Sequence, residues 1–211
     1  MTVIACLHAA RSNIAVFEAA LHALDYDDIE LLHRVEEGLL ASAIDANEVT
    51  PAIAAATRQA IDELCEYADA VIVTCTTLGV VAWKADSFSR PVYRVDAMLA
   101  KAASRYHGSI LVLCTAHATL QATTHLFEAF IPGDRLAVEL IPRAWALFNA
   151  GDNEGYLREI AHYLQQRPEC ALGCIVLAQA SMAGAEKYIN TTLAVLTAPG
   201  VALQGAIEAL A

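Results

Sequence analysis

One pattern of apolar segments occurs twice along the chain, and this repetition restricts the folds that the sequence can adopt. In the first half, short apolar runs alternate with segments of helical periodicity, and the same alternation restarts after residues 105–108. Strands that alternate with helices in this way pair in parallel through right-handed crossovers, and parallel strands covered on both faces are almost continuously apolar. The sequence therefore predicts an α/β fold made of two similar parallel-sheet lobes.

The predicted elements follow from the apolar runs and from the residues that cap helices. Strands are expected over 2–8, 29–35, 70–74, 91–95, 109–115, 136–141, 172–178 and 193–196. Helices are expected to begin at Ser12-Asn13, Thr50-Pro51 and Asp96, and to span 119–130, 154–165 and 201–210. We place the first lobe over 1–96, joined by the C-terminal helix 200–211, and the second over 97–199.

Bulk composition excludes several classes of function. The 211 residues carry a net charge of -11, and only 13 Lys and Arg are spread along the chain, so a nucleic-acid partner is not expected. No apolar run is long enough to span a bilayer, and the N-terminus lacks a basic region before its apolar stretch. We expect a cytoplasmic protein with no membrane partner, whose six cysteines are mostly buried free thiols.

The most reactive position is predicted at the end of the third strand. The run Val71-Ile72-Val73-Thr74 leads directly into Cys75, which is followed by Thr76-Thr77-Leu78-Gly79. Hydroxyl groups and a following helix N-terminus are expected to lower the pKa of this thiol below its usual value of about 8.5. A similar run in the second half, 174–178, ends at Gln179 instead of a thiol, so the sequence predicts one reactive half.

Polar side chains at the other strand ends form the remaining candidate site. Ligands of open parallel sheets bind at the carboxyl ends of the strands, so hydroxyl and amide donors there suit a substrate carboxylate. His8 and His117 are candidate proton relays at strand ends, although a structural hydrogen bond in a loop is the more common role of a histidine at such a position. The candidate binding residues are His8, Ser12, Asn13, Thr74, Thr76, Thr77, Thr115, Thr119, Gln179 and Ser181.

Other known motifs are missing from the sequence. The chain contains no G-x-G-x-x-G, no G-x-x-x-x-G-K-[ST] and no G-x-S-x-G, which argues against dinucleotide, P-loop and α/β-hydrolase sites. Cys170 and Cys174 have the spacing of a ligand pair, but no second pair with zinc-like spacing accompanies them. No metal site is therefore expected.

In this order and spacing the motifs resemble the aspartate/glutamate/hydantoin racemase superfamily over essentially the whole chain. The resemblance is carried by Ala5-Cys6-Leu7-His8 with Ser12-Asn13, by Thr74-Cys75-Thr76-Thr77, by Thr115 and Thr119, and by the 176–182 segment. It implies a cofactor-free enzyme whose two lobes are related by a pseudo-twofold axis, with the active site in the cleft between them. The family forms oligomers, so self-association is compatible with the resemblance, although no sequence feature specifies the number of subunits.

In this superfamily two cysteines face the substrate α-carbon from opposite sides, one removing a proton and the other delivering one. Cys75 matches the first cysteine, whereas Gln179 stands at the second position and has no proton to exchange near neutral pH. The resemblance implies proton transfer at the α-carbon of a small carboxylate or amino-acid-like substrate, with Cys75 as acid/base or nucleophile. From its position at a strand end, His117 is a candidate catalytic residue, and either His117 or a water is the candidate second acid. Three alternatives stay open: a single-cysteine decarboxylase, a cis-trans isomerase, and a non-catalytic binder of carboxylates.

Overall fold

A computed structural model describes residues 1–83, 87–168 and 171–211. The chain divides into two compact units, Met1–Met98 together with Pro199–Ala211, and Leu99–Ala198. Each unit contains, among its described residues, one four-stranded parallel sheet flanked by helices. The predicted α/β fold with two similar parallel sheets is confirmed.

The first sheet has the strand order β2-β1-β3-β4, and all its described pairs are parallel. Its strands are β1 (Thr2–His8), β2 (Ile29–Val35), β3 (Ala70–Val73) and β4 (Val92–Arg94). The helices of this unit are α1 (Asn13–Leu24), α2 (Glu37–Ala46), α3 (Pro51–Cys65), α4 (Thr76–Gly79), the first turn of α5 (Val95–Ala103), and nearly all of the C-terminal α9 (Ala198–Leu210).

The second sheet has the order β6-β5-β7-β8, which repeats the first topology strand for strand. Its strands are β5 (Ser109–Cys114), β6 (Leu136–Leu140), β7 (Leu172–Leu177) and β8 (Ala194–Thr197). The helices are α6 (His117–Glu128), α7 (Ala144–Asn149) and α8 (Asn153–Gln165), with a 3-10 helix over Ala180–Tyr188.

Each sheet packs one face against the longest helix of its unit. In the first unit, Leu7 and Val73 of the sheet join Ile61 and Leu64 of α3 in one buried cluster. In the second, Leu113 and Leu177 join Ile160 of α8. Burying a side chain of this size contributes roughly 1.5–3 kcal/mol, so these faces hold the strand ends in place.

Local sequence signals explain where several helices begin. Thr50 caps α3, because its hydroxyl accepts a hydrogen bond from the Ile53 N–H at 3.3 Å and Pro51 occupies the first turn. Asp152 caps α8 through the Gly155 N–H at 2.9 Å. Ser12 precedes α1 as expected, but its side chain makes no capping hydrogen bond. The prediction of this helix is thus correct and that of its cap is wrong.

No helix of the described chain is both long and apolar enough to cross a membrane.

Candidate functional site

Cys75 lies where β3 ends and the short helix α4 begins. The Thr74 N–H donates to the Leu7 carbonyl at 3.0 Å, which ties the end of β3 to β1, and Cys75 follows in extended backbone as the N-cap of α4. The side chain of Cys75 is half-buried. The backbone N–H groups of Thr77 and Leu78, together with the Thr77 hydroxyl, form hydrogen bonds with its sulfur. The thiol is therefore held by donors on one side, as expected for a helix N-terminus.

Burial raises the pKa of the Cys75 thiol despite these donors, and the negative charge of Asp96 adds to the rise. The sequence-based expectation of a lowered pKa is therefore wrong. The hydrogen-bond donors lower the pKa, as expected, but the removal of the thiolate from water raises it by more. Cys75 is consequently a neutral thiol at rest near neutral pH, which suits a group that gives a proton.

A buried ion pair stands beside this cysteine. The Arg94 guanidinium donates to both carboxylate oxygens of Asp96, at 3.1 and 2.8 Å, and both residues are more than nine-tenths buried. Asp96 also accepts from the Ala97 N–H at 2.9 Å. From the sequence Asp96 was expected only as a helix cap, because the R-V-D pattern after a strand does not by itself indicate an ion pair.

A chain of side-chain hydrogen bonds extends from Thr74, the residue before Cys75. The Thr74 hydroxyl donates to the Leu7 carbonyl at 3.1 Å, so the His8 Nδ1, at 2.9 Å, must donate to it. The His8 Nε2 then accepts from the His33 Nδ1 at 2.8 Å, and the His33 Nε2 lies 2.9 Å from Glu18.

Burial and the neighbouring His33 lower the pKa of His8 to about 4, so His8 is neutral at physiological pH. Its side chain is fully buried and both ring nitrogens have protein partners. A direct contact between His8 and a substrate would require one of these bonds to break. The same holds for Thr74, which is also buried. Both residues are placed as supports of the strand end.

The end of β7 carries a different polar network around Gln179. The Gln179 Oε1 accepts from the Thr115 N–H at 2.7 Å, from the Thr115 hydroxyl at 2.8 Å and from the Ala116 N–H at 3.3 Å. Because a backbone N–H can only donate, these bonds assign the oxygen and leave the amide NH2 pointing elsewhere. No acceptor in residues 1–83, 87–168 or 171–211 is bonded to that NH2, so Gln179 offers two hydrogen-bond donors.

Tyr156 of α8 completes this network and was missed from sequence. Its hydroxyl lies 3.1 Å from the Thr115 hydroxyl and 2.9 Å from that of Ser181, and its ring is buried. Burial raises its pKa. Thr115 and Ser181 were predicted as substrate contacts; the structure brings both together around this buried hydroxyl. A tyrosine at a helical apolar position looks like ordinary core in a sequence, which hid its polar end.

The other predicted residues lie at element starts. Ser12 is exposed and Asn13 half-buried at the beginning of α1, and Thr76 is half-buried in α4. His117 is the exposed first residue of α6. The Thr119 hydroxyl donates to the Ala116 carbonyl at 2.9 Å within the same turn.

The described cysteines other than Cys75 are free and buried, in agreement with the prediction. Cys174 lies within β7. Cys170, the other half of the pair considered from spacing, lies outside the described residues.

The two strand ends are equivalent by register. Thr74 N–H bonds to the Leu7 carbonyl in the first sheet, and Ala178 N–H bonds to the Leu113 carbonyl at 3.1 Å in the second. One residue further on, Cys75 therefore matches Gln179. The predicted correspondence between these two positions follows from the backbone.

The chain matches known proteins by structure but not by sequence. No family model matches the chain, and no curated protein matches it by sequence. The solved structures that match include the aspartate racemase of Picrophilus torridus, 11% identical with a TM-score of 0.73, covering 100% of this chain and 94% of that one. The allantoin racemase of Klebsiella pneumoniae is 14% identical with a TM-score of 0.69, covering 100% and 87%.

A third match is the glutamate racemase of Thermus thermophilus, solved with β-chloro-D-alanine. It is 21% identical with a TM-score of 0.64, covering 99% of this chain and 80% of that one. At these identities the likeness concerns the backbone. It agrees with the strand order repeated in both sheets, and with the resemblance carried by the strand-end motifs. The chain has the fold of the aspartate/glutamate/hydantoin racemase superfamily.

Proposed function

We propose that the protein is a cofactor-independent, racemase-type enzyme that transfers a proton at the α-carbon of a small carboxylate or amino-acid-like substrate. Cys75 is the acid/base group. The observation that carries the proposal is a half-buried thiol at a strand end, with hydrogen bonds from Thr77 and Leu78, in a chain with the racemase fold. The names of the matching structures suggest amino acids and hydantoin-like compounds as the first substrates to try.

The polar groups around Cys75 suit an enediolate intermediate. Removal of an α-proton places negative charge on the carboxylate oxygens, and preorganised donors stabilise that charge. We assign this role to the Thr76 hydroxyl, because the Thr77 hydroxyl is already bonded to the Cys75 sulfur and the Thr119 hydroxyl already donates to the Ala116 carbonyl. Loss of one such donor typically raises the barrier by about 3 kcal/mol.

Gln179 supplies a donor where the superfamily pattern has its second cysteine. Its oxygen is held by Thr115 and Ala116, so only the NH2 group is available, and an amide gives up no proton near neutral pH. We therefore assign Gln179 to substrate binding, with Thr115 and Ser181 positioning it. His117, exposed at the start of α6, is the candidate for a second acid.

A single-cysteine decarboxylase is the second candidate, and the raised pKa of Cys75 favours it. Loss of CO2 from a malonate-type substrate leaves an enediolate, which takes the thiol proton at its α-carbon, and the resulting thiolate recovers a proton from water. A thiol that is protonated before the reaction begins can supply the proton that these steps require. A cis-trans isomerase needs the thiolate as nucleophile, which the same pKa shift disfavours.

The proposed function is tested by incubating the protein in D2O with aspartate, glutamate, hydantoins including allantoin, malonates and maleate, and following each by proton NMR. α-Deuteration with inversion identifies a racemase, and loss of CO2 with one deuteron incorporated identifies a decarboxylase. The Cys75→Ser variant should lose the activity that the Cys114→Ser variant, altered at another buried thiol, retains. Saturable binding without any turnover would instead identify a binder of carboxylates.

The proposed partners follow from the same reasoning. The proposed partner is a small carboxylate, and neither a nucleic acid nor a membrane is expected. A homo-oligomer is compatible with the racemase resemblance. A cytoplasmic location remains the expectation drawn from composition.

A further inference from the structure

A cluster of one thiol and two imidazoles lies on one face of the first sheet, and the proposed reaction does not use it. Cys6 and His8 are two residues apart on β1, so their side chains share a face, and His33 of β2 pairs directly with Cys6 in the strand register. The Cys6 sulfur and one nitrogen from each imidazole lie within 4.8 Å of one another.

We propose that Cys6, His8 and His33 form a binding site for a zinc-class divalent cation within the first unit. The ligands are the Cys6 Sγ, the His8 Nε2 and the His33 Nδ1. The site is separate from the proposed chemistry at Cys75, and the proposed function does not depend on it.

The outer nitrogens of the two histidines support this assignment. A metal-bound histidine almost always donates its other ring N–H to a carboxylate, a backbone carbonyl or a water, which fixes the tautomer and the ring orientation. Here the His8 Nδ1 donates to the Thr74 hydroxyl at 2.9 Å, and the His33 Nε2 lies 2.9 Å from the Glu18 carboxylate. Both inner nitrogens therefore face the cluster, as ligand nitrogens should.

The inner distances are close to those of a tetrahedral site. The His8 Nε2 and the His33 Nδ1 lie 2.8 Å apart and share one hydrogen. Zinc–nitrogen bonds of about 2.0–2.1 Å at tetrahedral angles require nitrogens roughly 3.3 Å apart, so the rings need to separate by about half an ångström. The cation replaces the shared proton and the thiol proton, both of which are released to solvent.

The chemistry of the ligands selects the class of cation. One thiolate and two imidazoles match zinc and similar soft or borderline transition metals, whereas calcium and magnesium require oxygen ligands. Three protein ligands leave a fourth tetrahedral position for water. The Glu18 carboxylate, behind His33, offsets the remaining positive charge.

The cluster is packed against α1, and a cation can reach it from the surface. Cys6 and His8 are fully buried, and Phe17 of α1 packs edge-on against the His8 ring with centroids 5.3 Å apart. The His33 side chain is 12% exposed and that of Glu18 is 54% exposed. A cation can therefore approach along Glu18 and His33 while the other two ligands stay rigid.

The test uses the full chain, stripped of metal with a chelator and dialysed, and then titrated with Co2+ and with Zn2+. We expect one equivalent of Co2+ to give the visible bands of a tetrahedral site and a thiolate-to-cobalt charge-transfer band in the near ultraviolet. Equimolar Zn2+ should displace the cobalt and raise the midpoint of thermal unfolding.

Variants locate the site. Cys6→Ser should abolish the charge-transfer band, and His33→Asn should weaken Zn2+ binding by more than a hundredfold. Glu18→Gln, which changes only the outer partner, should weaken it about 10–100-fold. Cys114→Ser, at a buried thiol outside the cluster, should bind like the unaltered chain. Because His33 is partly exposed, His33→Asn keeps the test valid if Cys6→Ser fails to fold.

Two results would overturn the proposal. A purely octahedral cobalt spectrum or no binding at all would show that the cluster is a metal-free hydrogen-bonded chain. Zinc binding with equal affinity in the unaltered chain and in His33→Asn would show that the metal binds elsewhere.

Discussion

The end of β3 and the end of β7 share a backbone geometry but carry different chemistry. Both strands are tied to their central neighbour by the same backbone hydrogen bond, from Thr74 in one sheet and from Ala178 in the other. Beyond that point the first half places a thiol beside a buried ion pair, whereas the second places an amide in a network of hydroxyls. One half thus carries a titratable thiol, and the other carries a network of hydrogen bonds without one.

This difference indicates that two equivalent strand ends of a repeated fold can carry different chemistry. The backbone of a parallel sheet supplies the same strand-end position twice, and side chains decide what each position does. At the Cys75 end, burial tunes a titratable group. At the Gln179 end, the polar atoms form a network without a group that titrates near neutral pH. A change of pH near neutral should therefore leave the charge of this network almost unaltered.

The largest expected effect comes from removing the thiol. We expect Cys75→Ser to lower turnover on the substrate found by NMR by about 10²–10⁴-fold, the usual contribution of a positioned acid/base group. The unfolding free energy should change little, because the two side chains differ by one atom. Cys114→Ser is the matched control and should retain activity. Equal turnover by both variants would remove Cys75 from the mechanism and with it the chemical contrast between the halves.

The second prediction concerns the ion pair that only the first half has. By strand register Arg94 matches Thr197, so the second sheet has no charge at this position. Asp96→Asn removes the Asp96 carboxylate from the buried Arg94 guanidinium and should lower the unfolding free energy by up to about 3–5 kcal/mol. Urea unfolding measures the loss, and Asp45→Asn, at an exposed acid of α2, should change it by less than about 0.5 kcal/mol.

If Asp96→Asn instead proves as stable as Asp45→Asn, the pair contributes no net stability. The Arg94 charge would then be satisfied by its other surroundings, and the contrast between the two β-strand ends would reduce to Cys75 and Gln179.

Much of this fold was predictable because its signals are local. Near-continuous apolar runs placed β1 and β2 with their observed bounds, and Thr50-Pro51 marked the start of α3. The position of Cys75 after β3 and the correspondence with Gln179 followed from the same runs. Helix α2 (Glu37–Ala46) was missed, because it is short and no standard cap precedes it.

The details of the site were less predictable because they depend on residues far apart in sequence. His33 meets His8 across 25 positions and Thr74 meets His8 across 66, and no spacing rule links them. Tyr156 meets Thr115 across 41 positions. The pKa of Cys75 was predicted in the wrong direction for a related reason. The donors are local and visible in sequence, but the desolvation that outweighs them arises from tertiary packing.

A third prediction asks whether the oxygen or the nitrogen of Gln179 supports the second strand end. Gln179→Ala leaves the Thr115 and Ala116 N–H groups without their acceptor and should lower the unfolding free energy by about 2 kcal/mol. Gln179→Glu keeps an acceptor oxygen and should lose much less. Urea denaturation of both variants makes the comparison. If both variants lose the same amount, the NH2 group is the structural one and our assignment of the amide is reversed.

The smallest expected effect separates donor hydrogen bonds from burial at Cys75. The Thr77 hydroxyl lowers the thiol pKa while burial raises it, so Thr77→Val, which removes the donor at nearly constant shape, should raise that pKa further. A higher pKa means less thiolate at any given pH. The rate of alkylation by iodoacetamide near neutral pH should therefore fall a few-fold, and its pH midpoint should move upward. Thr76→Val, one residue closer to Cys75 in sequence, should leave both quantities unchanged. If Thr77→Val speeds alkylation instead, exposure of the sulfur outweighs its ionisation, and the first strand end is controlled by access to solvent more than by its hydrogen-bond donors.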